Sequence, residues 1–370
     1  MISPRLPPGS SRCGDSRPAV RFLSEYSEPL VIIPLLQPQL QQLLSRSSGG
    51  TQNLGVAVPR CNFVAVPANF SVLARLIPVP RPIPSPVSSG FTTTTAVPLY
   101  WCRYGTPGAP KLVVLHGGPG ASHEYLLPQM LELAKTHELI FYDQRGGGRS
   151  KTEDRAPITW RTHVEDLHSV VAELGAEPPA IVGYSWGGLL ALLATIDRAE
   201  RGAALPPLLV LIDPAPLTRQ FRERFEAEFA RRQNGTEIRA MRAELAASGL
   251  RERDADAYRQ RAFELSVAGY FADARAAHDL TPFRVTGRVQ ESVWASLADF
   301  DVVSRLDGIR LPSLFLHGRQ DPIPLESSEA GARALGAPLI VIEQCGHVPY
   351  VEQPAALFSA TASFLAGAQR

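Results

Sequence analysis

The chain has 370 residues, 45 % of them hydrophobic and 20 % charged, with a formal net charge of +1. That length can bury a large core, and the near-neutral charge excludes the basic surface a nucleic-acid or membrane-surface binder would need. No apolar run is long enough to span a bilayer, and the four cysteines (Cys13, Cys61, Cys102, Cys345) have the spacing of neither a zinc site nor a disulfide framework, so a cytoplasmic protein without metal or cofactor is expected.

Residues 1–90 stand apart. They hold 14 of the 33 prolines and eight arginines against three acids, a local charge of +5. Proline fixes φ and removes a backbone donor, so stretches such as "IPVPRPIPSPVSSG" cannot sustain a helix or a ladder. They are predicted to be a disordered, solvated extension without a dedicated role.

From residue 91 the pattern changes to short apolar runs alternating with amphipathic stretches. "TTAVPLYWCRYG" reads as an opening strand pair. "KLVVLHGG" (111–118), "ELIFYD" (138–143), "AIVGYS" (180–185) and "LLVLID" (208–213) are compact and rich in β-branched residues, as parallel strands buried on both faces must be. Val164, Leu167, Val171 and Leu174 recur at helical spacing over 162–174. Residues 215–300, with "RQFRERFEAEFARR", break the alternation and read as a helical insertion. Strands resume at 312–318 and 338–343 around a helix near 326–335, and "PAALFSATASFLAGA" is the closing helix. The expected fold is α/β: a mostly parallel sheet flanked by helices, its core in two parts (91–214 and 301–370) with a helical cap (215–300) between them.

In such sheets chemistry collects where strands end. Gly183-Tyr184-Ser185-Trp186-Gly187 is a Gly-x-Ser-x-Gly between a strand and a helix, a turn tight enough to hold the serine in a strained backbone and present its hydroxyl. A serine needs a base, and the base an orienting acid. Asp321 in "LFLHGRQDPIP" and His347 in "IEQCGHVPYVEQP" each follow a late strand, in the chain order serine, acid, histidine. His317 sits in a strand end, His163 and His168 lie on a helix before the serine, and His278 lies in the insertion, so all four are poorer candidates. The amides of Gly118 in "LHGGPGAS" and of Trp186 are the candidate donors to a tetrahedral oxyanion. Neither "LHGGPGAS" (115–122) nor "DQRGGGRS" (143–150) has phosphate-loop spacing, which argues against a nucleotide.

"HGGPG" at 116–120, "DQRGGGRS" at 143–150 and "GYSWGG" at 183–188 together make residues 95–370 resemble the prolyl aminopeptidase (proline iminopeptidase) family of α/β-hydrolases. The resemblance implies metal-free release of N-terminal residues, often proline, from short peptides. It implies Ser185 as nucleophile, His347 as general base and then acid, Asp321 as its partner, Gly118 and Trp186 as the oxyanion hole, and Asp143 and Arg145 as braces of the surrounding loops. Family members hold the substrate amine with cap glutamates. No such motif aligns with 215–300, where Glu264 in "AFELSVAGYF" and Glu291 in "VQESVW" are the carboxylates beside aromatic residues. An esterase, lactonase or amidase with the same triad is the alternative expectation, and a non-catalytic receptor a more distant one. Related epoxide hydrolases and dehalogenases place Asp where Ser185 stands.

Overall fold

The computed structural model describes residues 82–153 and 156–368; the greater part of the expected Pro-rich extension lies outside them. An eight-stranded sheet runs in the order β1-β2-β4-β3-β5-β6-β7-β8. Its strands are β1 (Ser88–Phe91), β2 (Tyr100–Tyr104), β3 (Lys111–Leu115), β4 (Glu138–Tyr142), β5 (Ile181–Tyr184), β6 (Leu209–Ile212), β7 (Ser313–Gly318) and β8 (Leu339–Ile342). β1 pairs with β2, and β2 with β4, antiparallel; the remaining pairs are parallel.

The sheet begins earlier than the sequence pattern indicates. The first strand is Ser88–Phe91, which takes three residues of the stretch assigned to the extension, and Thr92 to Val97 form the turn that leads into β2. The bonds of that turn explain the difference. Thr92 Oγ1 accepts from Leu99 N at 2.8 Å, and Glu173 accepts from the amides of Thr93 and Thr94, so the threonines that read as strand formers are committed to a bend.

Alternation along the buried strands divides the core into two layers. Val113, Leu115, Ile140, Leu209, Leu211 and Phe315 face the layer that holds the buried helix Trp186–Glu200. Leu112, Val114, Leu139, Phe141, Val210 and Leu316 face the layer that holds the closing helix Pro354–Ala368. The helix anticipated at 162–174 starts two residues sooner, at Trp160, because Thr159 and Thr162 form a reciprocal capping box.

Between β6 and β7 the chain leaves the sheet through a narrow neck. Thr218 bridges Asp301, Arg219 N donates to Phe300 O at 3.0 Å, and Val302 N donates to Leu217 O at 2.9 Å. Above the neck lie the helices Arg219–Gln233, Thr236–Ala247, Ala255–Val267 and Gly287–Leu297. Thr218 caps the first of these and Asp254 the third, through their side-chain oxygens. Among the described residues no helix is long and apolar enough to cross a membrane.

Candidate active site

Ser185 is the single residue between β5 and the helix Trp186–Glu200, with φ 53° and ψ −120°. A left-handed backbone at a non-glycine residue costs roughly 1–3 kcal/mol and has to be imposed by its surroundings. The surroundings here are backbone. A Cβ on Gly183 would lie 2.6 Å from Gly187 O, and one on Gly187 would lie 2.2 Å from Leu115 O. Only glycine at both positions lets the strand, the turn and β3 pack this closely. Ser185 N donates to Ile212 O at 3.0 Å, and Ser185 O accepts from Gly188 N, Leu189 N and Ala215 N, so the turn is bonded on every side.

The structure brings Ser185, Asp321 and His347 together. Ser185 Oγ is 3.0 Å from His347 Nε2, and His347 Nδ1 is 2.7 Å from Asp321 Oδ2. Asp321 Oδ1 accepts from Ile323 N at 2.7 Å. Burial alone would raise the Asp321 carboxyl, but the charge of the neighbouring His347 and its hydrogen bond hold it below the usual carboxylate range. The imidazole is clamped. Tyr270 of the cap stacks on it at 5.1 Å between ring centres, Tyr184 lies 5.3 Å away on β5, and the backbone of His347 bonds to both tyrosines.

Gly118 and Trp186 both line the cavity above Ser185. The amide of Gly117 is taken by Tyr125 Oη at 2.6 Å, and Gly118, at φ +52°, turns the chain beyond it. Trp186 opens its helix, where the first amides have no intrahelical acceptor. Gln144 joins these two loops to each other. Its side-chain oxygen accepts from Trp186 Nε1 at 2.8 Å, its side-chain nitrogen donates to His116 O at 2.8 Å, and its amide donates to His116 Nε2 at 3.1 Å. Burial pushes His116 down to about 4, so it is neutral at physiological pH, accepting at Nε2 and donating from Nδ1 to Gly117 O.

Asp143 and Arg145 lie behind this layer. Asp143 Oδ1 accepts from His123 N and His123 Nδ1, and its Oδ2 accepts from Arg149 N. Arg145 forks onto Asp166. His317 is buried in β7, and the buried ring of His163 packs edge-on to Trp186; neither joins the serine.

A cavity of about 530 Å³ lies between this floor and the cap. Its cap wall carries aromatic rings (Phe225, Tyr270, Trp294, Phe300) and three carboxylates (Glu223, Glu226, Glu291). Glu223 is paired with Arg219 at 3.1 Å, and Glu226 with Arg222 at 2.7 Å; the Arg222 guanidinium also lies over Trp294 at 4.2 Å. The Glu291 carboxylate has no ion pair among the described residues. Beside it, Gln290 Oε1 is a buried acceptor with no donor among the described residues. Glu264 does not belong to this wall. It is buried inside the cap, where Gln260 and Arg261 hold it at 3.0 and 2.7 Å, so of the two carboxylates singled out in the sequence only Glu291 reaches the cavity. Glu223 and Glu226 escape a reading of the sequence because their i, i+4 arginine partners make them look like ordinary solvated helix charges.

Comparison with known proteins agrees with this fold. The sequence profile of the alpha/beta hydrolase family matches residues 112–360. A proline iminopeptidase of Lactobacillus delbrueckii subsp. bulgaricus is 28 % identical in an alignment of 281 residues that covers 69 % of this chain and 90 % of that protein. Epoxide hydrolase A of Mycobacterium tuberculosis is 26 % identical over 310 residues, 74 % of this chain and 96 % of the relative. Among solved structures, a proline iminopeptidase-related protein from Thermus thermophilus superposes with a TM-score of 0.58 at 23 % identity, covering 75 % of this chain and 97 % of its own.

Proposed function

Because the chain belongs to the alpha/beta hydrolase family, we propose that it is a serine hydrolase whose nucleophile is Ser185, acting as an aminopeptidase on short peptides with a free N-terminus. The observation that carries the chemistry is the pair of hydrogen bonds that joins Ser185 Oγ to His347 Nε2 at 3.0 Å and His347 Nδ1 to Asp321 Oδ2 at 2.7 Å.

In the proposed reaction Ser185 Oγ attacks the scissile carbonyl carbon as His347 Nε2 takes its proton. The carbonyl oxygen becomes an oxyanion received by the amides of Gly118 and Trp186; one such donor is worth about 100–1,000-fold in rate. His347 then gives its proton to the departing amine, leaving an acyl ester on Ser185. Water, deprotonated by the same imidazole, cleaves the ester and restores the serine. Asp321 keeps Nδ1 protonated and balances the imidazolium. The Ser185 hydroxyl also argues against epoxide hydrolysis, which in related enzymes starts from an aspartate at this position.

Two observations support an aminopeptidase over other acyl transfer. One is the similarity to proline iminopeptidases over most of the described chain. The other is the Glu291 carboxylate on the cavity wall, which has no ion pair among the described residues and is suited to a substrate ammonium. An esterase, lactonase or amidase is favoured by a different feature of the same wall: Arg219 and Arg222 already neutralise two of its three carboxylates, and aromatic rings stand beside them. Paired arylamide substrates separate the two readings. Prolyl arylamide turned over with its N-acetyl counterpart inert supports the aminopeptidase; equal turnover of both, or preference for a simple ester, favours the second reading.

A further inference from the structure

One acidic group beneath the triad is unaccounted for by the reaction. Asp213 ends β6 and is wholly inaccessible to solvent. Like Ser185 it has a left-handed backbone, φ 41°, which turns its side chain back under the neighbouring strand ends. Its Oδ1 accepts from Gly318 N at 2.8 Å, whereas its Oδ2 is buried with no donor among the described residues. An oxygen of Asp213, an oxygen of Asp321 and a ring nitrogen of His347 lie mutually within 4.8 Å.

Two carboxylates this close and this deeply buried cannot both be ionised. The donors decide which one holds the charge. Asp321 accepts from His347 Nδ1 and from Ile323 N, one for each oxygen, as an anion requires. Asp213 has one N–H for two oxygens, so its bare Oδ2 is where a proton belongs. The other groups around Asp213 agree. His317 Nδ1 is 3.7 Å from Asp213 Oδ1, but that ring bonds to Ser328 Oγ and donates to Ile323 O, and burial pushes it down toward the neutral form. Glu352, Tyr184 and Cys345 also act on it electrostatically, and none of them offers it a cation. Burial, then Asp321, then a hydrogen bond shared with Asp321 keep the Asp213 carboxyl protonated far above the usual carboxylate range.

We propose that Asp213 is a positioning residue for the triad: a neutral carboxylic acid whose Oδ2–H donates to the Asp321 carboxylate and holds it in line with His347 Nδ1. This rests on the reading of Ser185, His347 and Asp321 given above. The shared proton stabilises Asp321 as an anion without adding a second negative charge beside His347.

The test is the pH profile of fluorophosphonate labelling of Ser185 in the full chain, for wild type, Asp213→Ala and Asp213→Asn. Labelling needs no knowledge of the substrate, and its acid limb reports protonation of the base that activates the serine. Asp213→Ala removes the donor and is expected to slow labelling by about 10-fold or more, the value of a hydrogen bond to a charged group. Asparagine tolerates a left-handed backbone and offers an N–H₂ at the position of the acid, so Asp213→Asn is expected to rescue the rate. It should also leave the midpoint of the acid limb within about 0.3 pH unit of wild type, because no charge is lost. Were Asp213 an anion, the same variant would remove a negative charge from beneath the triad and shift the midpoint down by more than about one unit. That shift, or an Asp213→Asn variant as slow as Asp213→Ala, would overturn the proposal. Should Asp213→Ala not fold, the asparagine profile decides alone. A wild type that does not label at all would instead overturn the reading of Ser185.

Discussion

Gln144 is the residue through which the two sides of the site hold each other, and replacing it by leucine is the perturbation with the most to report. Leucine nearly fills the same volume and keeps the backbone bond to His116 Nε2, but it removes both side-chain bonds. Trp186 Nε1 and His116 O, each now bonded at 2.8 Å, are left without partners in residues 1 % and 0 % exposed. A buried polar group without a partner costs about 1–3 kcal/mol, so Gln144→Leu should lose about 2–6 kcal/mol. For a core of this size that is a fall in Tm of about 5–15 °C. The loss has a signature that simple misfit lacks. In the Gln144→Leu background Trp186→Phe deletes one of the two orphaned groups, so it should cost at least about 1 kcal/mol less than it does in the wild type. Because the two bonds fix the strand before Gly118 against the residue after Ser185, kcat should fall about 10-fold with KM unchanged. Urea melts of the four proteins measure the coupling, and steady-state kinetics the rest. A Gln144→Leu variant that melts within about 1 °C of wild type, with additive losses in the double variant, would show that Gln144 does not tie the two loops together.

The buried His123–Asp143 pair makes stability depend on pH. Burial would push His123 down, but its hydrogen bonds to Asp143 and Cys102 override this and push it up to about 10. A raised histidine stabilises the fold fully below its unfolded pKa, about 6.5, and that contribution is lost as pH rises toward 10, at about 1.4 kcal/mol per unit. Asp143→Asn should therefore cost about 3–5 kcal/mol near pH 6, where it leaves a buried cation unpaired, and progressively less at higher pH; urea midpoints at pH 6 and pH 10 that differ by the same amount would contradict this. At the cap wall, Glu291→Gln should raise KM for a free-amine arylamide by about 10-fold and leave kcat and N-acylated substrates unaffected, and an unchanged KM would remove Glu291 from amine recognition.

How much of this was legible in the sequence depends on whether the signal is local. The buried strands and the Gly-x-Ser-x-Gly turn could be read because β-branched runs and glycines report short-range requirements of the backbone, as the 2.2 Å approach of a Gly187 Cβ to Leu115 O illustrates. The start of the sheet is not legible locally because Thr92–Thr95 carry strand propensity, while their side-chain bonds to one another and to Glu173 make a turn. Asp213 was visible as the polar end of "LLVLID", but that it meets Asp321 follows from β6 pairing with β7 more than a hundred residues later, which no local pattern reports. Gln144 stood inside a recognised motif, and the motif could not say that its partner was the tryptophan of another. Glu264 and Glu291 look alike in sequence; Arg261 takes the one into the cap interior, and the helix Gly287–Leu297 turns the other toward the cavity.

Mass spectrometry after treatment with a fluorophosphonate asks whether Ser185 is the nucleophile. Expected are a single adduct on the peptide containing Ser185, loss of prolyl arylamide turnover in step with it, and neither adduct nor turnover in a Ser185→Ala variant with an unaltered melt. An unmodified Ser185 in a protein that still hydrolyses its substrate, or a Ser185→Ala variant that retains turnover, would contradict that role.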